Sequence, residues 1–126
     1  MNKLTIIAGA LLGLAFVFFG LTHFFNLIEM PPPPEDSNAA KFFALTGPTG
    51  FMDMVKFFEI LGGLLVAIPK TRNIGLLILG PIIVNILAFN TFIAPGGLTQ
   101  PPVIFVAVLG AFLLWAGRAS FAKLLN

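Results

Sequence analysis

The chain has 126 residues, 58% hydrophobic and 10% charged, with a formal net charge of +2 and no cysteine. Soluble domains carry about a quarter charged residues, so this chain has too few polar groups to cover a globule in water, and lipid is expected to be the solvent for most of its surface. The composition also excludes disulfides, thiolate metal sites and thiol relays, and its seven basic residues are scattered, with no basic stripe for nucleic acid.

At about 20 residues per span, four transmembrane helices use most of the length and leave little for a soluble catalytic domain. The first apolar run covers residues 4–28 behind Lys3. It is longer than the apolar region of a signal peptide, about 7–15 residues, and is therefore expected to stay as a span. Pro31, Pro32, Pro33 and Pro34 cannot continue a helix and make a stiff exit. A short amphipathic helix at the interface is expected over 38–45. The turn from Thr46 to Gly50 feeds a second span over 51–68, which Pro69 ends. Asn73 is placed to cap a third span over 73–94, and Pro81 in its middle is expected to free the Leu77 carbonyl and bend the helix. The Pro95-Gly96-Gly97 turn breaks that span. A fourth covers 101–125, with Thr99 or Gln100 as its cap and Pro101 and Pro102 in its first turn, where proline is tolerated.

The expected fold is thus all-α, a four-transmembrane-helix bundle forming a single domain over residues 1–126. Lys3, Lys70, Arg72, Arg118 and Lys123 fall on one side of an even-numbered bundle, whereas Lys41 stands alone beside Glu29, Glu35 and Asp36 on the other. Basic residues favour the cytoplasm, so both termini are expected inside and the proline-rich loop outside, in a bacterial inner membrane. Gly9-x-x-x-Gly13 permits close helix approach, within the bundle or between subunits of a homo-oligomer. A repeat between Leu61-Gly62-Gly63-Leu64-Leu65 and Leu109-Gly110-Ala111-Phe112-Leu113 is no stronger than chance.

The second span holds the strongest anomaly, Asp53, Lys56 and Glu59. Ionisable groups in hydrocarbon each carry a penalty of several kcal/mol unless paired, about 2.5–3.5 on insertion scales. Asp53 can reach the outer interface, but Glu59 lies about eight residues in, roughly 12 Å, and needs a partner. Lys56 is the obvious one at i−3. Asn85 should lie at similar depth in the third span, Asn90 further out, and His23 in the outer half of the first. If these faces converge, His23, Lys56, Glu59, Asn85 and Asn90 form an outward-facing polar pocket. The same residues also serve as polar glue between helices. Both readings stand at this point, with no metal site and no catalytic residue expected. Phe24, Phe25, Phe57 and Phe58 are the rings on which a quinone would stack, and packing is the commoner role for such residues.

In the order Phe19-Gly20, Pro31-Pro32, Glu59-Ile60-Leu61-Gly62-Gly63-Leu64 with Arg72 behind, and Pro81-Ile82-Ile83-Val84-Asn85-Ile86 running to Phe92-Ile93-Ala94-Pro95, the chain resembles the DoxX family of small bacterial membrane proteins. It has His23 where many members carry lysine or arginine, and Asn90 where a histidine is common. The resemblance implies a membrane subunit associated with a redox partner, with a quinol headgroup as the ligand of the pocket. The residues supply no electron carrier, so no bound cofactor is expected and the chain is not expected to be an enzyme on its own. The alternatives are a structural or assembly subunit without ligand and, behind it, a small transporter or channel built as an oligomer.

Overall fold

The computed structural model describes residues 3–29 and 31–125, and among them there are helices and no strands. Six α-helices follow in order: α1 (Lys3–Phe25), α2 (Asn38–Thr46), α3 (Phe51–Ala67), α4 (Arg72–Ala88), α5 (Pro101–Ala116) and α6 (Arg118–Ala122). A 3-10 turn at Pro69–Thr71 leads into α4, and a π-turn at Phe89–Ile93 continues it.

Two helices are long and apolar enough to cross a membrane, Lys3–Phe25 and Pro69–Ile93, and a third counts if Pro101–Ala116 and Arg118–Leu125 are taken as one bent span. α3 has 17 residues with three charged side chains, Asp53, Lys56 and Glu59. At about 1.5 Å per residue it is roughly 25 Å long, less than a hydrocarbon core of about 30 Å. It nevertheless packs against both α1 and α4.

Small residues set that packing. α1 runs antiparallel to α3 with Gly9 beside Val66, Gly13 beside Gly63 and Gly20 beside Ile60. The Gly9-x-x-x-Gly13 face is therefore occupied within the chain. Gly62 on α3 meets Leu79 of α4, and Gly110 on α5 meets Ile83 of α4. Leu12, Phe16, Val66, Leu76, Leu79, Val106 and Leu113 are buried where α1, α3, α4 and α5 meet. The outward sides of the same helices show Leu14, Leu64, Leu77, Val84 and Val108. An apolar surface of this extent is unsuited to water.

Several element ends differ from the sequence expectation. α1 stops at Phe25, because Asn26 takes the left-handed conformation, φ 52°, a usual way to end a helix. Its N–H still reaches back to the Thr22 carbonyl at 2.8 Å. Asn73 is not the cap of α4, which begins at Arg72. The carbonyls at the end of α3 are met instead by Thr71 Oγ1, which donates to Leu65 O at 2.7 Å and Ile68 O at 3.3 Å. Gln100 occupies the cap position of α5 with the two prolines directly after it, but no side-chain cap bond forms. The expected continuous helix over 101–125 breaks at Gly117, with a 68° bend between its two parts. α2 forms as expected from its composition, with Ser37 Oγ accepting from Ala40 N–H at 3.1 Å.

Candidate functional site

The helical repeat decides which side chains share a face. Met52, Val55, Lys56 and Glu59 lie one stripe along α3, at i, i+3, i+4 and i+7. Ile82, Asn85, Ile86 and Phe89 make the corresponding stripe on α4. The two stripes face a cavity of about 600 Å³, within the usual range for small-molecule sites, about 300–1,000 Å³. His23 reaches it from the end of α1, and Phe42, Phe43 and Thr46 from α2. The five residues singled out in the sequence, His23, Lys56, Glu59, Asn85 and Asn90, all line it. One turn beyond Glu59, Gly62 lets α3 close directly on Leu79, where a Cβ would come within 2.8 Å. That contact ends the cavity.

Glu59 forms the inner end and is 3% exposed. Lys56 Nζ stands 3.3 Å from one carboxylate oxygen and 3.4 Å from the other. These distances are long for a charge-assisted hydrogen bond, about 2.7–2.9 Å at best, so both groups keep room for another partner. His23 is bound elsewhere: its Nε2 donates to Asp53 Oδ1 at 2.7 Å, tying the end of α1 to the start of α3. The antiparallel register that puts Gly13 beside Gly63 puts residue 23 beside residue 53, and the sequence alone does not supply that register.

The two asparagines hold their own helix. Asn85 Nδ2 donates to Pro81 O at 3.0 Å, and α4 continues through Pro81 to Ala88. Asn90 Nδ2 donates to Ile86 O at 2.8 Å, and Thr91 Oγ1 to Leu87 O at 2.8 Å. These bonds occupy carbonyls at the junction where the helix widens into the π-turn, closed by Ala94 N–H to Phe89 O at 2.8 Å. Such turns recur at functional sites. Asn90 is 9% exposed, and a Cβ on Gly97 would overlap its side chain. Asn90 therefore anchors the turn that follows, while Asn85 keeps an oxygen acceptor on an exposed side.

The aromatic wall is built from other rings than the four singled out in the sequence for quinone stacking. Phe24, Phe25, Phe57 and Phe58 do not line the cavity; Phe42, Phe43, Phe51, Phe89 and Phe92 do. Phe42 and Phe43 pack on Phe89 with ring centroids 5.0 and 5.5 Å apart, so α2 is held over the cavity by stacking across from the π-turn. The signal in the sequence is the pair of phenylalanines behind the Ser37 cap, on a helix too short to be stable alone. Phe42→Ala is expected to remove an aromatic contact worth about 0.5–1.5 kcal/mol and release α2. Amide exchange over 38–46 should then quicken while that of α3 stays unchanged.

The arrangement can receive a compact ligand with a flat apolar body and polar ends. Lys56 offers donors, Glu59 and Asn85 offer acceptors, and the phenylalanines offer ring faces. Among the described residues no three His, Asp or Glu side chains converge as metal ligands. Comparison with protein-family models, curated proteins and solved structures finds no match to this chain.

Proposed function

We propose that the chain is a DoxX-like membrane subunit that holds a small amphipathic ligand of the quinol headgroup type in the cavity around Glu59. The reading includes a bundle of four spans, α3 among them, with both termini cytoplasmic and the proline-rich loop outside. One observation carries it: a cavity of about 600 Å³ joins the Lys56–Glu59 pair to an aromatic wall. A quinol would place its hydroxyls on Glu59 and Asn85 and its ring among Phe42, Phe89 and Phe92. A quinone carbonyl would accept from Lys56. Electrons would pass to a membrane-associated redox partner, since the chain brings no carrier.

The test is binding of a short-chain quinol to the detergent-solubilised protein. Saturable binding is expected, weakened about tenfold in Glu59→Gln, the loss of one charge-assisted hydrogen bond. Unchanged binding in a folded Glu59→Gln protein sinks the proposal. The orientation has its own test, made simple by the absence of cysteine. In intact cells, a membrane-impermeant maleimide should label Glu35→Cys and should reach Lys123→Cys only after permeabilisation. The reverse pattern overturns the orientation.

A second reading, an assembly subunit without ligand, is favoured by the asparagines, whose amide N–H groups are engaged within their own helix. It expects a stoichiometric partner on purification, and no saturable quinol binding.

A further inference from the structure

A second cavity, of about 450 Å³, lies at the opposite end of the helices, where α5 finishes and α1 and α4 begin. Arg72, Arg118, Trp115, Asn73, Ser120 and Thr5 are on its wall, and among the described residues lining it none is acidic. The two guanidinium groups arrive from different elements. Arg72 opens α4 and is 7% exposed. Its side chain lies against Gly9 of α1, where a Cβ would stand 2.8 Å from Nε and 3.3 Å from Nη2, so glycine there leaves the guanidinium its place. Arg118 comes from beyond the 68° bend. Its Nη1 donates to Trp115 O at 2.8 Å, and its guanidinium carbon sits 4.2 Å from the Trp115 ring centroid. Both cations are thus positioned by the fold.

Guanidinium groups match phosphate oxygens through paired N–H donors, and Asn73, Ser120 and Thr5 add neutral hydrogen-bonding groups. Trp115 stands near the end of its span, where an indole sits at headgroup level, and basic pockets between membrane helices take phosphate headgroups. From the two positioned arginines on a wall whose described residues include no carboxylate, we infer that this cavity binds the phosphate of an anionic ligand, chemistry shared by an anionic phospholipid headgroup and free inorganic phosphate. The site stands independently of the Glu59 cavity and of any ligand there.

Trp115 is the only tryptophan of the chain, so its emission reports on this cavity directly. The detergent-solubilised full chain is titrated in parallel with phosphatidylglycerol, phosphatidylcholine and inorganic phosphate at constant ionic strength. The expected result is a saturable response to phosphatidylglycerol, none to phosphatidylcholine, and a midpoint raised about tenfold in Arg118→Gln. Arg118 is exposed, so this variant should fold even if Arg72→Gln does not. Lys123→Gln, at the same end but off the cavity wall, should keep the wild-type midpoint. Saturation by inorganic phosphate alone, lost in Arg118→Gln, supports the site with a soluble phosphate species as its source. Equal responses to the two lipids with none to phosphate, an unchanged midpoint in Arg118→Gln, or an equal loss in Lys123→Gln would each overturn it.

Discussion

Gly13→Val is expected to keep α1 from seating on α3, and the purified protein should lose its cooperative thermal transition. A Cβ at residue 13 would overlap the Gly63 carbonyl and stand 2.8 Å from Ala67 Cβ and 3.0 Å from Ala67 N. From the other side, a Cβ on Gly63 would stand 2.7 Å from the Gly13 carbonyl. These obstacles are mostly backbone, so no rotamer change relieves them, and the loss should reach at least the upper end of core overpacking, about 3 kcal/mol. Gly80→Ala is the control. Nothing lies within 4 Å of its Cβ position, and replacing glycine within a helix should raise stability by about 0.5–1 kcal/mol. Equal melting of the two variants would show that α1 and α3 do not meet along this seam.

Lys56→Met should destabilise the fold by about 3 kcal/mol, the lower end of the range for breaking a buried ion pair. It leaves the Glu59 carboxylate, 3% exposed, without its cation. Glu59→Met should cost clearly less, because Lys56 has a quarter of its side chain exposed and a flexible stem that can carry the ammonium outward. The double variant should be nearly as stable as the wild type, since apolar replacement of both partners removes the desolvation penalty along with the attraction. Thermal denaturation of the four proteins closes the cycle; strict additivity would mean that the pair is not coupled. The double variant also separates the two readings of the cavity. A folded protein without the pair should bind no quinol, whereas an assembly subunit should keep its partner.

The parts of the site that were legible in the sequence follow from depth. Rise per residue puts Glu59 and Asn85 at one level and Lys56 a turn away, so convergence needed only α3 and α4 to be neighbours. Direction around each helix is harder to read. In lipid the outward face is as apolar as the core, and Leu64 or Val84 on the surface looks like Val66 or Leu79 inside. Hence the sequence does not single out Phe42, Phe89 and Phe92 as the rings at the cavity, nor the His23–Asp53 bond. Breaks set by one backbone conformation were also hidden. Asn26 ends α1 although Leu27 and Ile28 continue the apolar run, and Gly117 turns the chain after α5 where Arg118, Ser120 and Lys123 read as the polar end of one helix. The folding of α2 over the cavity depends on Phe42 and Phe43 meeting Phe89, a contact far apart in the chain.

The glycine seam between α1 and α3 bears on how anything reaches Glu59. Backbone meets backbone there, so no acyl chain or ring can slip between those two helices, and α2 lies across the loop end. The remaining approach is sideways between α3 and α4, past exposed Asn85 and Phe92. If α3 and α4 both cross the membrane as proposed, a molecule arriving that way comes out of the bilayer, and its effective concentration is set by partition into lipid. Dilution with empty micelles should therefore strip the cavity, and occupancy should follow the ligand-to-detergent ratio more closely than the amount added to the buffer.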